Sequence, residues 1–201
     1  MIRVLIAEDQ AMVRGALASL LALESDIEVV AEVERGDHVL EAAAATMPDV
    51  ALLDIEMPGL DGISVAEALT RERSATRTMI LTTFGRPGYL RRALESGASG
   101  FLLKDAPADQ LAAAIRTVSA GGLAVDPVLA AAAVTEGSSP LTGREQQVLA
   151  AAAGHSTAAE IASALHLSEG TVRNYLSASI RKLGARNRRE AIDRAVEKGW
   201  L

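Results

Sequence analysis

The stretch Val50-Ala51-Leu52-Leu53-Asp54-Ile55-Glu56-Met57-Pro58-Gly59-Leu60-Asp61-Gly62 opens on four apolar residues, meets a carboxylate and breaks at Pro-Gly. An apolar run this short is too brief for a core helix and reads as a strand buried on both faces. Working outward, similar runs occur at Ile2 to Ala7, Ile27 to Ala31, Thr78 to Leu81 and Phe101 to Leu103. Between them lie segments with helical spacing, such as Met12, Ala16, Leu20 and Leu23, or Val65, Ala68 and Leu69, while Pro48 and Gly97 supply stops. Strand then helix, five times over, predicts an α/β fold: a doubly wound, five-stranded parallel sheet covered by helices on both faces.

The residue after each strand carries the chemistry. Glu8 and Asp9 follow the first run, Asp54 the third, Thr82 the fourth and Lys104 the fifth. All leave the same edge of the sheet, and ligands of open parallel sheets bind at the carboxyl ends of the strands near the topological switch point. The common order 2-1-3-4-5 puts strands one and three side by side, so Asp9 is expected beside Asp54, with Thr82 and Lys104 alongside. Three carboxylates in one crevice repel unless something positive joins them. Oxygen-only ligation with room for water favours Mg²⁺. Lys104 adds a point charge and Thr82 a hydroxyl donor, which suits a phosphoryl group held on a nucleophilic Asp54. Taken singly, Asp54 before Met57-Pro58-Gly59 could be a turn residue, Lys104 a surface side chain and Thr82 a satisfied loop hydroxyl. Four such residues at one edge are not what those bland readings predict.

Composition bounds the rest. The 201 residues carry 20 Lys+Arg against 26 Asp+Glu, 49% apolar residues, 2% aromatics and no cysteine. That size allows one or two domains with real cores. The lack of cysteine excludes disulfide scaffolds, thiol catalysis and Cys-ligated metal sites. No apolar run approaches the roughly 20 residues of a spanning helix, and Met1 to Ala7 runs into Glu8-Asp9 rather than a small-residue cleavage site. A cytoplasmic protein with no membrane insertion is expected. The net charge of -6 is unevenly spread: residues 1 to 139 hold 11 basic and 20 acidic side chains, residues 140 to 201 hold 9 and 6. Eight of those nine cations lie from Arg173 to Lys198, a concentration suited either to phosphates or to a solvated face. Gly121-Gly122 and Glu136-Gly137-Ser138-Ser139-Pro140 punctuate the chain around a short Ala-rich helix at roughly 127 to 135. The expected organisation is a first domain at 1–121, a linker with a short helix at 122–139, and a second domain at 140–201.

The second domain reads as four helices. Thr142 to Glu145 forms a capping box ahead of Val148, Leu149 and Ala152, and Gly154 stops that helix. Thr157 or Ser156 starts the next, with Ile161, Ala162 and Leu165 inward, and His166-Leu167 makes the turn. Ser168 and Thr171 open a third helix whose Val172, Leu176, Ile180 and Leu183 share one stripe, leaving Arg173, Asn174, Ser177 and Arg181 outward. A short helix, a tight turn and a polar-faced helix make the helix-turn-helix pattern. A polar face is often only solvation, but Arg181-Lys182 and Arg186-Asn187-Arg188-Arg189 add charge that phosphates demand. Arg173 could fork onto guanine and Asn174 onto adenine, while Tyr175 could stack, pack or face a phosphate.

Residues 1 to 120 resemble a response-regulator receiver domain of flavodoxin-like fold. The carrying residues are Glu8-Asp9, Asp54 with Met57-Pro58-Gly59-Leu60-Asp61-Gly62, Thr82, and Gly100-Phe101-Leu102-Leu103-Lys104-Asp105. The resemblance implies that Asp54 accepts phosphate from a sensor histidine kinase, that Glu8, Asp9 and Asp54 bind Mg²⁺ with the Glu56 backbone carbonyl, that Thr82 and Phe101 form a conformational switch, and that Lys104 contacts the phosphoryl group. Thr83 departs from the small residue more usual there; with Glu56 and Phe84 it bears on the dephosphorylation rate. Residues 140 to 201 are similar to the LuxR-type DNA-binding domain of NarL/FixJ regulators through Leu141-Thr142-Gly143-Arg144-Glu145, Glu160-Ile161-Ala162, Ser168 with Thr171-Val172-Arg173, and Lys182-Leu183-Gly184. That likeness implies Arg173, Asn174 and Ser177 at base edges and Thr157, Thr171, Arg181 and Lys182 near phosphates of double-stranded promoter DNA. Thr157 stands where Asn is commoner and Asn174-Tyr175 where a pair often includes His, so no operator sequence is implied. The Thr171 to Tyr175 string is similar to the DesR branch of the family.

The expected function is transcriptional regulation switched by phosphorylation of Asp54, with homodimerisation through helices one and five or through the strand-four to strand-five face. The chain is not expected to be a turnover enzyme, although Asp54 could release its own phosphate. A rival aspartyl-phosphate phosphatase would want a DxD pair at the first strand, where Glu8-Asp9 stand, and a substrate lid. A second rival keeps the first domain as a dimer platform that works without phosphorylation.

Overall fold

The structure is a computed structural model that describes residues 1–83, 87–127, 129–130, 139–154 and 157–201. The chain divides into two compact units, Met1–Gly85 with Leu90–Ala131, and Arg86–Tyr89 with Ala132–Leu201.

The first unit is a parallel sheet. Its strands are β1 (Ile2–Ala7), β2 (Ile27–Val33), β3 (Val50–Asp54), β4 (Arg77–Thr82), β5 (Gly100–Leu103) and β6 (Ala124–Val125), in the order β2-β1-β3-β4-β5-β6. Every pairing is parallel. The helices are α1 (Ala11–Leu21), α2 (Val39–Thr46), α3 (Gly62–Arg71), α4 (Pro87–Glu95) and α5 (Ala108–Ser119). All five residues of β3 are buried, as a central strand covered on both faces requires. The expected order 2-1-3-4-5 holds, and β6 adds a sixth, two-residue strand, with Gly100 opposite Ala124 and Phe101 opposite Val125. The sheet therefore continues past residue 121, where the sequence places the end of the first domain. Two residues behind a Gly-Gly pair are too few for any periodicity to register.

One face of the sheet packs Val4, Ile6, Val50, Leu52, Met79 and Leu81 against Leu17 and Leu21 of α1 and Leu111, Ile115 and Val118 of α5. α1 lies in the expected place, but Met12 and Leu23 are 87% and 81% exposed, and the core-facing row is Val13, Leu17 and Leu21, one residue along. The helix is apolar on two sides, so the spacing that marks it does not reveal which side is inward.

The second unit is helical: α6 (Gly143–Gly154), α7 (Ala158–Leu165), α8 (Glu169–Lys182) and α9 (Arg188–Glu197). Each start is tied by a side chain. Glu145 Oε2 accepts from the Thr142 amide at 2.6 Å, and Thr157 with Glu160 forms a complete capping box. Ser168 and Asn187 cap α8 and α9, accepting from the amides of Thr171 and Glu190. His166, at φ 54°, closes α7 in the left-handed conformation. Two small cores result, Leu141, Leu149, Leu183, Ala191 and Ala195 in one, Val148, Ala152, Ile161, Ala162 and Val172 in the other.

In the segment expected to hold the linker helix, residues 127, 129 and 130 are helical and the Asp126 carboxylate accepts from the Leu129 amide at 3.1 Å. Residues 128 and 131–138 of that segment lie outside the described residues, as do Phe84 and Ser156. Among the described residues no helix is long and apolar enough to cross a membrane.

Candidate functional site

The carboxyl ends of β1, β3, β4 and β5 bring Glu8, Asp9, Asp54, Thr82 and Lys104 to one edge, as the strand-end pattern predicts. β1 and β3 are neighbours, and Ala7 pairs with Leu53, so the residues that follow them start from the same level. One carboxylate oxygen from each of Glu8, Asp9 and Asp54 lies within 4.8 Å of the others. Glu8 and Asp54 are buried, at 1% and 4% exposure, whereas Asp9 opens to solvent. Lys104 Nζ is 2.7 Å from Glu8 Oε2 and 3.0 Å from Asp54 Oδ1.

One ammonium serves two buried carboxylates, with a third alongside. Burial pushes the Glu8 carboxyl above its ordinary range; the Asp54 charge adds to this, and Lys104 offsets part of it. For Lys104 burial works against the charged form, yet hydrogen bonds to Glu8 and Asp54 outweigh it and hold the ammonium above its usual range. The pocket thus carries surplus negative charge at a place open on the Asp9 side. Three clustered carboxylate oxygens with no nitrogen or sulfur donor are a fit donor set for a hard divalent cation.

The backbone of the Asp54 turn is tightly held. Ile55 O accepts from the amides of Met57 and Gly62, and Asp61 caps α3 by accepting from the Ser64 amide at 2.8 Å. A Cβ on Gly62 would run into the Asp54 carbonyl, so only glycine lets α3 start this close to Asp54. Glu56 is exposed two residues beyond Asp54, and Thr83 is exposed beyond Thr82. Thr82 is buried at the end of β4, and its carbonyl accepts from the Lys104 amide at 2.9 Å. Phe101 is fully buried in β5. The two proposed switch residues thus occupy adjacent strands whose register is Ile80 to Phe101 and Thr82 to Leu103.

In the second unit the outward face of α8 is as the sequence implies: Arg173, Asn174, Ser177 and Arg181 are exposed, Val172 is buried, and Tyr175 and Leu176 are half-buried in a core. Partners of the cations are what sequence counting misses. Arg173 Nη2 is 2.6 Å from Glu169, Arg186 and Arg194 share Glu190, and Arg189 sits 3.5 Å from Asp193. Lys182 is committed to buried Glu145 at 2.7 Å, and Asn187 is spent on the α9 cap. Arg181 has no ion-pair partner among the described residues. Thr157 and Thr171 sit at the starts of α7 and α8, Thr157 as the cap itself and Thr171 with its hydroxyl 2.8 Å from that of Ser168.

Comparison with known proteins bears on both units. Residues 4–116 match the response regulator receiver domain family, and residues 139–195 match the bacterial regulatory proteins of the luxR family. Over all 201 residues the chain is 48% identical to the uncharacterized transcriptional regulatory protein YvfU and 46% identical to the transcriptional regulatory protein DesR, both of Bacillus subtilis and each covered in full. The crystal structure of the response regulator ChrA of a heme-sensing two-component system matches the whole chain and 98% of its own, with 33% identity and a TM-score of 0.60.

Proposed function

The chain belongs to the NarL/FixJ family of two-component response regulators, a phosphorylation-regulated, DNA-binding transcription regulator, and on that premise we propose that Asp54 is the phosphoryl acceptor. The supporting observation is the buried Asp54 carboxylate, 3.0 Å from Lys104 and within 4.8 Å of the Glu8 and Asp9 oxygens. An oxygen of Asp54 attacks the phosphorus of a phosphohistidine on a sensor kinase; the P–O bond forms, the P–N bond breaks, and the imidazole leaves. Mg²⁺ held by Glu8, Asp9 and Asp54, with the Glu56 carbonyl, would supply positive charge against the phosphoryl oxygens. Lys104 exchanges its bond to the Asp54 carboxylate for one to the phosphoryl group, and the Thr82 hydroxyl turns to donate to another of its oxygens. Moving Thr82 toward the phosphoryl group changes the packing around Phe101, already fully buried in the adjacent β5, and the receiver face so remodelled pairs two copies.

Differential stabilisation of about 3 kcal/mol carries a 1% active population past half, within reach of a few charge-assisted hydrogen bonds. Two paired chains present two α8 helices to two half-sites of promoter DNA in the cytoplasm. Arg173, Asn174 and Ser177 meet base edges; Thr157, Thr171 and Arg181 meet the phosphate backbone. The test is acetyl phosphate with Mg²⁺ on the full chain. The natural protein gains one phosphoryl mass on Asp54 and dimerises, and Asp54→Asn does neither. Full dimerisation of the Asn variant under acetyl phosphate would overturn the reading.

A further inference from the structure

Asp9 is the least restrained member of the acidic cluster. Glu8 and Asp54 are pinned by Lys104, but among the described residues no hydrogen bond or ion pair reaches the Asp9 carboxylate, so the backbone of residues 8–10 alone fixes where it stands. That backbone is not anchored in the ordinary way. Gln10, the N-cap of α1, makes no side-chain capping bond, and the first turn of α1 holds no acidic residue. Instead Arg14, one turn into the helix, folds back so that its Nη1 donates to the Glu8 carbonyl at 2.6 Å, while its amide donates to the Gln10 carbonyl at 2.9 Å. The guanidinium also lies 3.9 Å from Glu32 of β2, and only 18% of the side chain is exposed. From the other side the Glu8 amide donates to Val33 O at 3.0 Å and the Gln10 amide to Glu8 Oε1 at 3.2 Å. The peptide that joins Glu8 to Asp9 therefore has its carbonyl end set by one side chain.

We propose that Arg14 is a positioning residue for the divalent-cation site: by holding the Glu8 carbonyl it sets the Asp9 carboxylate at the distance from Glu8 and Asp54 at which one hard cation can be shared. This rests on the reading that these acids hold Mg²⁺. Removing the guanidinium leaves an acceptor without its donor beside an almost fully buried residue, and the 8–10 turn shifts to find another. A shift of Asp9 leaves the Lys104 pairs intact, so the fold survives while the cation loses a ligand.

The test is calorimetric Mg²⁺ titration of the full chain, with Mn²⁺ electron paramagnetic resonance as a second readout. Arg14→Met is expected to weaken Mg²⁺ about tenfold, the low end for substitutions behind a metal ligand, with an altered Mn²⁺ spectrum and a melting temperature close to that of the natural protein. Arg14→Lys, which keeps a charged donor, restores most of the affinity. Should Arg14→Met not fold, Arg14→Gln and Arg14→Lys decide between them: Gln binding Mg²⁺ as weakly as Asp9→Asn supports the role, and Gln binding as tightly as the natural protein overturns it. Unchanged affinity and spectrum in Arg14→Met overturn it equally. Failure of the natural protein itself to bind Mg²⁺ would instead remove the metal reading, a separate result.

Discussion

The ammonium of Lys182, at the end of α8, lies 2.7 Å from Oε2 of Glu145 in the first turn of α6, and that same oxygen accepts from the Thr142 amide and hydroxyl. One buried carboxylate thus ties the entry of the first helix of the DNA-binding unit to the exit of its third. Lys182, which likeness to the family places near phosphates, is held by the fold.

The lysine and its exposed neighbour are therefore expected to part company. Arg181→Ala should leave stability nearly unchanged and lower the slope of log affinity against log salt by about one. Lys182→Met should leave Glu145 buried without its cation, lower the melting temperature of this unit and change the salt slope little. Titration of specific and scrambled duplexes across a salt series, beside thermal melts, separates the two.

Acid should loosen the same joint. The hydrogen bond from Lys182, followed by that from the Thr142 amide, holds the Glu145 carboxyl below its ordinary value. A group whose pKa is lower folded than unfolded stabilises above its unfolded pKa, so this contribution is full at neutral pH. It fades once pH drops below the ordinary carboxyl range and is gone below the folded pKa. Urea melts followed by Trp200 fluorescence, which reports the core of Leu141, Leu149 and Leu183, should show Glu145→Gln less stable at pH 7. The gap to the natural protein should narrow toward pH 3.

For base reading, Arg173→Ala should reduce discrimination between specific and scrambled duplexes by about 1–3 kcal/mol while weak, salt-sensitive binding persists. Its carboxylate partner Glu169, 2.6 Å away, has to yield when α8 docks. Equal losses on both duplexes would reduce Arg173 to a phosphate contact.

At the proposed phosphoryl-acceptor edge, Lys104→Met removes the cation shared by Glu8 and Asp54. Phosphorylation by acetyl phosphate should slow about 10²–10³-fold, the cost of losing one charge-stabilising donor. In Mg²⁺-free buffer the first unit should also lose about 3 kcal/mol, because two buried carboxylates are left facing each other. Added Mg²⁺ should recover part of the stability but not the rate.

Two glycines of the first unit should respond in opposite directions. Gly15, exposed within α1, has open space around a built Cβ, so Gly15→Ala should stabilise by about 0.5–1 kcal/mol. Gly62→Ala would collide with the Asp54 carbonyl, lowering both the melting temperature and the phosphorylation rate.

Much of this was legible in the sequence because burial on both faces leaves continuous apolar runs. β1 spans the residues that its run marks, and β3 and β4 exceed theirs by a residue or two. Polar residues at strand ends then point to one edge without any side-chain detail. What stayed hidden has physical reasons. α1 carries apolar residues on two sides, so Met12 and Leu23 mark a helix without marking its inner face. β6 is two residues long. Charges can be counted but not paired in a sequence, so the commitments of Lys182, Arg186 and Arg194 to neighbouring carboxylates leave no trace there. Arg14 reads as one more arginine on a helix until its reach back to Glu8 is seen.

The borders of the sheet also decide how other molecules approach the first unit. On one side β6 offers only Ala124 and Val125; on the other β2 carries exposed Glu28 and Glu32, and its register against β1 slips between Val4 and Leu5. A brief border and a charged, irregular one both discourage an extra strand from zipping on. Any protein partner of the first unit would consequently be met through helices and loops rather than by lengthening the parallel ladder, and the same borders guard against the fibrous association that open ladders invite.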